Sequence, residues 1–269
     1  MLLDSPYLAK PGKKIKLGKF STNETGKFKD KETAIAAARK HLDRLDELQE
    51  VLYAGAQKSL LIVLQAMDGG GKDGTIDFVF SGVNPQGCQV TSFKVPSALE
   101  LSHDYLWRVH SACPGRGMIG IFNRSHYEDV LVTRIKKIID TSRAKKRFHH
   151  INEFERLLVD EGTTVLKFFL HISKDEQKER LIARQNDKSK WWKFNPGDLE
   201  ARKDWDAYQE AYEDMLNATS TGHAPWYIIP ADRKWYRNYA VSGLIVQALE
   251  KMDLKLPKVT DDPRKYVVE

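Results

Sequence analysis

The sequence predicts an α/β fold built around a phosphate-binding loop, and three observations carry that prediction. An unbroken apolar run at residues 60–64 has the length and branching of a strand buried on both faces. It feeds directly into Gly69, Gly70 and Gly71, followed by Lys72. Residues 75–80 then resume a pattern that opens a helix, giving the order strand, glycine loop, helix.

Residues 1–29 are rich in Lys, Gly and Pro without periodicity and read as an extended arm, lying on the body or mobile. From Asp30 to residue 55, Ala34, Ala37, Leu42, Leu45, Leu48 and Leu52 recur at roughly helical spacing, so an amphipathic helix packs beside the sheet. Beyond the loop, residues 89–95 read as a second strand stopped by Pro96. Ser97 can cap a helix with Leu99, Leu101, Tyr105, Leu106 and Val109 on one side. Residues 117–122 form a third strand that ends in the polar stretch Asn123-Arg124-Ser125-His126-Tyr127-Glu128-Asp129, with a helix over 130–139. A helix at 145–161, a fourth strand at 163–172 and a helix begun by Ser173 follow. After a basic excursion come a helix at 199–216, a fifth strand at 226–229 and a closing helix at 233–252 with Tyr236, Ala240, Leu244, Ile245 and Leu249 inward. The expected organisation is an arm at 1–29, one domain at 30–256 and a tail at 257–269, around a five-stranded parallel sheet.

The chemistry concentrates on the loop. Bare glycines let backbone N–H groups close around an anion, and the helix start adds a favourable dipole. The match to G-x-x-x-x-G-K-[ST] is imperfect: Ala66 replaces the first Gly, and Asp73 replaces the hydroxyl that meets magnesium. Carboxylates are suitable hard ligands, so Asp68 and Asp73, flanking the loop, are expected to supply the metal side. Lys72 is placed against phosphate oxygens. If the first and third strands are neighbours, Arg124 bridges donor and acceptor phosphates, and Glu128 and Asp129 either orient a metal or serve as ordinary helix-start acids. Lys94, at a strand end, reads equally as a site lysine or a solvated one. Arg180, Arg184, Lys188, Lys190 and Lys193, with Trp191, Trp192 and an Asn195-Pro196-Gly197 turn, have the composition of a mobile lid that closes on a phosphoryl donor.

At 269 residues and 41% hydrophobic content, one α/β domain can bury a full core. Lys and Arg number 43 against 37 Asp and Glu, a net +6 that favours an anionic partner without naming it. Two cysteines give neither a disulfide framework nor a zinc site. No signal peptide or membrane span is read, so a cytoplasmic protein without a membrane partner is expected.

Four ordered motifs then converge on one family. These are Met67-Asp68-Gly69-Gly70-Gly71-Lys72-Asp73-Gly74-Thr75; Phe122-Asn123-Arg124-Ser125-His126-Tyr127-Glu128; Trp192-Lys193-Phe194-Asn195-Pro196-Gly197-Asp198-Leu199; and Pro225-Trp226-Tyr227 with Pro230-Ala231-Asp232. The sequence resembles the second family of polyphosphate kinases, phosphate-loop enzymes that move phosphoryl groups between inorganic polyphosphate and nucleotides. The resemblance spans about residues 30–250. It implies a three-layer α/β/α phosphate-loop kinase fold similar to thymidylate kinase, with a helical lid at about 180–205 over a basic polyphosphate channel.

Carried over by position, Asp68, Lys72 and Arg124 are the catalytic residues. Polyphosphate is expected at Gly69, Gly70, Gly71, Lys72, Asp73, Gly74, Thr75, Arg180, Arg184, Lys188 and Lys193. Nucleotide is expected at Lys94, Asn123, Arg124 and Glu128. His126-Tyr127-Glu128, where many relatives have Trp-Tyr-Asn, looks like the class that accepts AMP as well as ADP. Asn123 stands where some relatives have Asp, which shifts the magnesium (Mg2+) role to Asp68 and Asp129. The expected partners are inorganic polyphosphate and AMP, ADP or ATP, with no nucleic acid, in a homo-oligomer.

Two other functions fit parts of the sequence. An ATP-dependent nucleoside monophosphate kinase of thymidylate-kinase type is disfavoured by Asp73 and by the long basic lid. A non-catalytic nucleic-acid-binding protein needs stacking aromatics along a cationic groove, and only Trp191-Trp192 hints at one.

Overall fold

The structure is a computed structural model that describes residues 2–268. The strands are β1 (Leu8–Ala9), β2 (Ser59–Gln65), β3 (Cys88–Ser92), β4 (Ile119–Asn123), β5 (Thr163–His171) and β6 (Trp226–Pro230). They form one six-stranded sheet in the order β1-β6-β5-β2-β4-β3. The five expected strands are present and mutually parallel. The sixth, β1, corrects the count: Leu8 and Ala9 pair antiparallel with Tyr227 and Trp226. A two-residue strand in a Lys/Gly/Pro-rich segment has no periodicity to betray it, and only the open edge of β6 recruits it. Further bonds hold the arm down, from Ile15 N to Asn217 Oδ1 (2.8 Å) and from Leu17 N to Glu213 Oε2 (2.9 Å).

The helices are α1 (Lys31–Gly55), α2 (Lys72–Phe80), α3 (Ala98–Ser102), α4 (Trp107–Ser111), α5 (Val132–Ile135), α6 (Thr141–Asp160), α7 (Lys174–Asn186), α8 (Pro196–Lys203), α9 (Trp205–Thr219) and α10 (Lys234–Lys251). Asp30 caps α1 and Ser173 caps α7, each accepting from the backbone three residues on. α1, α2 and α10 pack together, as do α6 and α9, and the sheet lies against both groups. Every residue of β2 and β6 is consequently buried, as a sheet covered by helices demands.

Three expected helices are broken. Asp104 accepts from Leu106 N (2.9 Å), splitting the 97–109 stretch into α3 and α4 and leaving Leu99 and Leu101 exposed. Lys137 turns to φ 55° and ends α5 early. Asp204 stands between α8 and α9 in place of one continuous helix.

β2 lies between β5 and β4. The connection leaving β2 runs to the β3 edge, whereas the one leaving β4 runs to β5, so a crevice opens at the carboxyl ends of β2 and β4. That position is where the fold places a ligand.

Candidate active site

The loop after β2 is shaped by what its glycines lack. Gly69 and Gly71 have φ of 79° and 96°, a region that a β-carbon disfavours. Gly70 is confined differently: a β-carbon there would lie 2.4 Å from Ala66 Cβ and 2.8 Å from the Met67 carbonyl oxygen. Thr75, fully buried, closes the first turn of α2 by donating through both its backbone N (3.0 Å) and its Oγ1 (3.1 Å) to the Gly71 carbonyl. Thr75 therefore braces the loop, with its hydroxyl already engaged.

Lys72 is buried, and its Nζ donates to the Ala66 carbonyl (3.0 Å) across the loop. Burial lowers its pKa, and the Arg124 cation adds to that, against Asp68, Glu128 and Asp73. These groups are thus close enough to feel one another. Register brings them there: Leu64 of β2 faces Asn123 of β4, so the end of β4 delivers Arg124 beside the loop. Arg124 occupies the left-handed region at φ 63°, its N–H bonded to the Leu64 carbonyl (3.2 Å), and its Nη2 donates to Asp68 Oδ1 (2.7 Å). A non-glycine residue there costs about 1–3 kcal/mol, and such strain clusters at functional sites. Asn123 Nδ2 donates to Asp73 Oδ1 (2.8 Å). Burial pushes the Asp73 carboxyl up, but the Asn123 bond and Lys193 together hold it below its usual value.

The four residues after Ser125 form a 3-10 turn, His126–Asp129, which rotates each residue about 120° from the last. They therefore cannot share one site. Glu128 faces the loop; burial raises its pKa against the pull of Arg124 and Lys72. The Gln65 amide, oriented so that both ends are satisfied, donates to Glu128 Oε1 (3.0 Å) and accepts from Ser125 N (3.2 Å). Asp129 points elsewhere, with its carboxylate 3.7 Å from Arg108 and 3.8 Å from Arg147. The expected grouping of Asp129 with Asp68 is not formed. His126 and Tyr127 turn into the core, where Tyr127 OH donates to Glu155 Oε1 (2.7 Å) and Lys167 Nζ donates to Glu155 Oε2 (2.6 Å), Tyr127 OH (2.8 Å) and the Thr219 carbonyl (2.8 Å). This buried cluster ties the Arg124 turn to β5 and α6.

The lid residues divide by task. Lys193 reaches the loop, 3.5 Å from Asp73 Oδ2, with its ammonium over the Trp192 ring. Arg184 pairs with Asp198 (3.0 Å), and Lys188 lies over Trp191. Arg180 is buried and donates to the carbonyls of Gly69 (3.0 Å) and Ala231 (2.5 Å) and to Glu176 (2.6 Å), so it clamps the loop to the end of β6. Lys94 is exposed just past β3, one strand farther out than Arg124, and its carbonyl accepts from Arg108.

Sequence reasoning missed three residues that shape this centre. Gln65 was masked as the end of an apolar strand. Gln177, whose Nε2 donates to the Asp68 carbonyl (2.8 Å), lies one turn before Arg180 and shares its face. Arg237 lies against Gly71 but sits on a helix read as core. A cavity of about 660 Å³ lined by Arg134, Lys137, Asp140 and Glu210, among others, contains none of the loop residues.

Comparison with known proteins places this geometry among others. The family model described as Polyphosphate kinase 2 matches residues 28–257. A relative from Meiothermus ruber, named AMP/ADP-polyphosphate phosphotransferase, is 52% identical over 264 residues, spanning 98% of this chain and 99% of the relative. One from Rhodopseudomonas palustris, named ADP-polyphosphate phosphotransferase, is 44% identical over 270 residues, spanning 96% and 93%. The crystal structure of polyphosphate kinase 2 from Arthrobacter aurescens TC1 superimposes with a TM-score of 0.91 at 41% identity, covering 98% of this chain and 97% of that one.

Proposed function

Because the chain belongs to the polyphosphate kinase 2 family, we propose that its glycine loop holds the end of an inorganic polyphosphate chain while AMP or ADP meets it at Arg124. The protein is a polyphosphate:AMP/ADP phosphotransferase. The observation that carries the site assignment is the convergence of Lys72, Arg124 and Lys193 on one bare loop bordered by Asp68 and Asp73.

In the transfer, the terminal P–O–P bond of polyphosphate breaks as a phosphate oxygen of the nucleotide forms a new P–O bond, and the shortened chain leaves as an anion. The attacking oxygen is already ionised, so no strong general base is required. The problem is repulsion between two polyanions. Lys72 leaves the Ala66 carbonyl to take phosphate oxygens, Arg124 spans donor and acceptor, and Lys193 closes from the lid. Each well-placed donor of this kind is worth ~3 kcal/mol in the transition state.

Magnesium binds through one or two carboxylates together with phosphate oxygens and water, and the acidic set beside the loop fits that mode. Asp68 and Asp73 would hold it, with Glu128 behind them. Bound there, the ion would supply charge neutralisation to the transferring group. The reading retains a cytoplasmic homo-oligomer without nucleic-acid or membrane partners.

The test is phosphorus NMR of the purified protein with magnesium, polyphosphate and either AMP or ADP. Growth of nucleoside diphosphate and triphosphate resonances is expected. Phosphorylation of AMP from ATP but not from polyphosphate would instead make it a nucleoside monophosphate kinase.

A further inference from the structure

Arg237, on the first turn of α10, is 2% exposed yet has no acidic partner among the described residues. Its guanidinium occupies the room left by the missing side chain of Gly71. A β-carbon on Gly71 would meet Arg237 Nη1 at 2.0 Å, and one on Gly74 would meet Nη2 at 3.7 Å. Nε and Nη2 both donate to Asn238 Oδ1, at 3.1 and 2.8 Å. Nη1, the edge facing the loop, makes no hydrogen bond among the described residues.

Its surroundings add positive charge. Burial, and then the neighbouring Arg180 cation, press its pKa down to about 9. Arg180 already uses Glu176, so the neighbouring carboxylate is taken and Arg237 is left without one. The first turn of α10 also holds no acid and begins with Arg233 and Lys234, the reverse of what a helix N-terminus favours. A buried cation in this state is costly unless an anion completes it.

We propose that Arg237 is an anion-binding residue of the phosphate loop, its Nη1 edge passing the bare Gly71 backbone to take an oxygen of the bound phosphate chain. The inference rests on the loop being the polyphosphate site. It explains why Gly71 is bare: a side chain there would occupy the space of the guanidinium. It also makes phosphate binding the event that neutralises the interior charge.

The test measures tripolyphosphate binding to the full chain by calorimetry, with melting temperature recorded with and without the ligand at fixed salt. For Arg237→Met, the ligand-free melting temperature is expected to hold or rise, because an unpaired buried charge is gone. Its tripolyphosphate Kd should rise about 10–100-fold, the loss expected of a hydrogen bond to a charged group. Arg237→Lys keeps the charge without the planar fork and should fall between the two.

Wild-type affinity in Arg237→Met overturns the proposal, as does a lower ligand-free melting temperature with affinity retained, which would mark Arg237 as a packing residue. If the methionine variant does not fold, wild-type affinity in Arg237→Lys overturns it. Lys72→Ala separates the two levels: loss of binding there with none in Arg237→Met defeats this inference alone, whereas full binding in both defeats the loop assignment.

Discussion

Replacing Lys167 with methionine tests whether the interior charge cluster holds the Arg124 turn to the sheet. Lys167 is fully buried, and its ammonium is spent on Glu155, the Tyr127 hydroxyl and the Thr219 carbonyl. Methionine keeps most of the stem volume and leaves the Glu155 carboxylate in the core facing Tyr127 and His126 alone. Removing one partner of a buried pair costs about 3–5 kcal/mol, chiefly through the stranded charge. At roughly 2 °C per kcal/mol for a chain of this size, the melting temperature should fall by about 6–10 °C. Adding Glu155→Gln to Lys167→Met removes the charge while keeping an acceptor for Tyr127, so more than half the loss should return. Guanidinium unfolding followed by circular dichroism, with melting curves alongside, reads both variants. A loss under about 1 kcal/mol, or no recovery in the double variant, would refute the claim that the cluster is a stabilising anchor.

Lys72→Ala and Arg124→Ala should each keep the wild-type circular dichroism spectrum while losing about 10²–10³ in kcat with polyphosphate and ADP, the range for removing one charge-stabilising donor. Lys193→Ala, which removes the lid contact to Asp73, should lower turnover less than either and make the KM for polyphosphate more sensitive to salt, measured from 50 to 300 mM, about. Gly70→Ala forces the Ala66 to Met67 backbone apart and should cost about 1–3 kcal/mol along with most phosphate binding, read by melting and calorimetry. The last prediction concerns acid. Burial pushes the Glu155 carboxyl up, yet Lys167 and then His126 outweigh it and hold the folded pKa below its ordinary value. Its stabilising contribution is therefore complete above the unfolded pKa and is lost as pH falls through the depressed one. Melting temperatures below pH 5, roughly, should drop more steeply for wild type than for Glu155→Gln.

The local order strand, glycine loop, helix was legible because it is written in contiguous residues. Burial on both faces demands a run such as 60–64, and a phosphate cradle demands bare glycines beside it, so β2, the loop and α2 could be read without tertiary information. The cap at Ser173 was legible for the same reason. What composition and local order could not supply was direction. A polar stretch such as Asn123 to Asp129 looks like one site, but the 3-10 turn sends Glu128 to the loop, Asp129 to two arginines and Tyr127 into the core. Lys94 and Arg124 both follow strand ends, yet the order of strands puts only Arg124 beside the loop.

The chain by itself determined a phosphate loop, its lysine and an α/β scaffold, since each depends on neighbours in sequence. Tertiary structure alone decided that β1 completes the sheet, that Arg180 is a buried clamp, and that Arg237, from a distant part of the chain, lies across Gly71. Those outcomes follow from which surfaces meet when the sheet closes, and a pairing between distant segments leaves no mark on the residues next to either one.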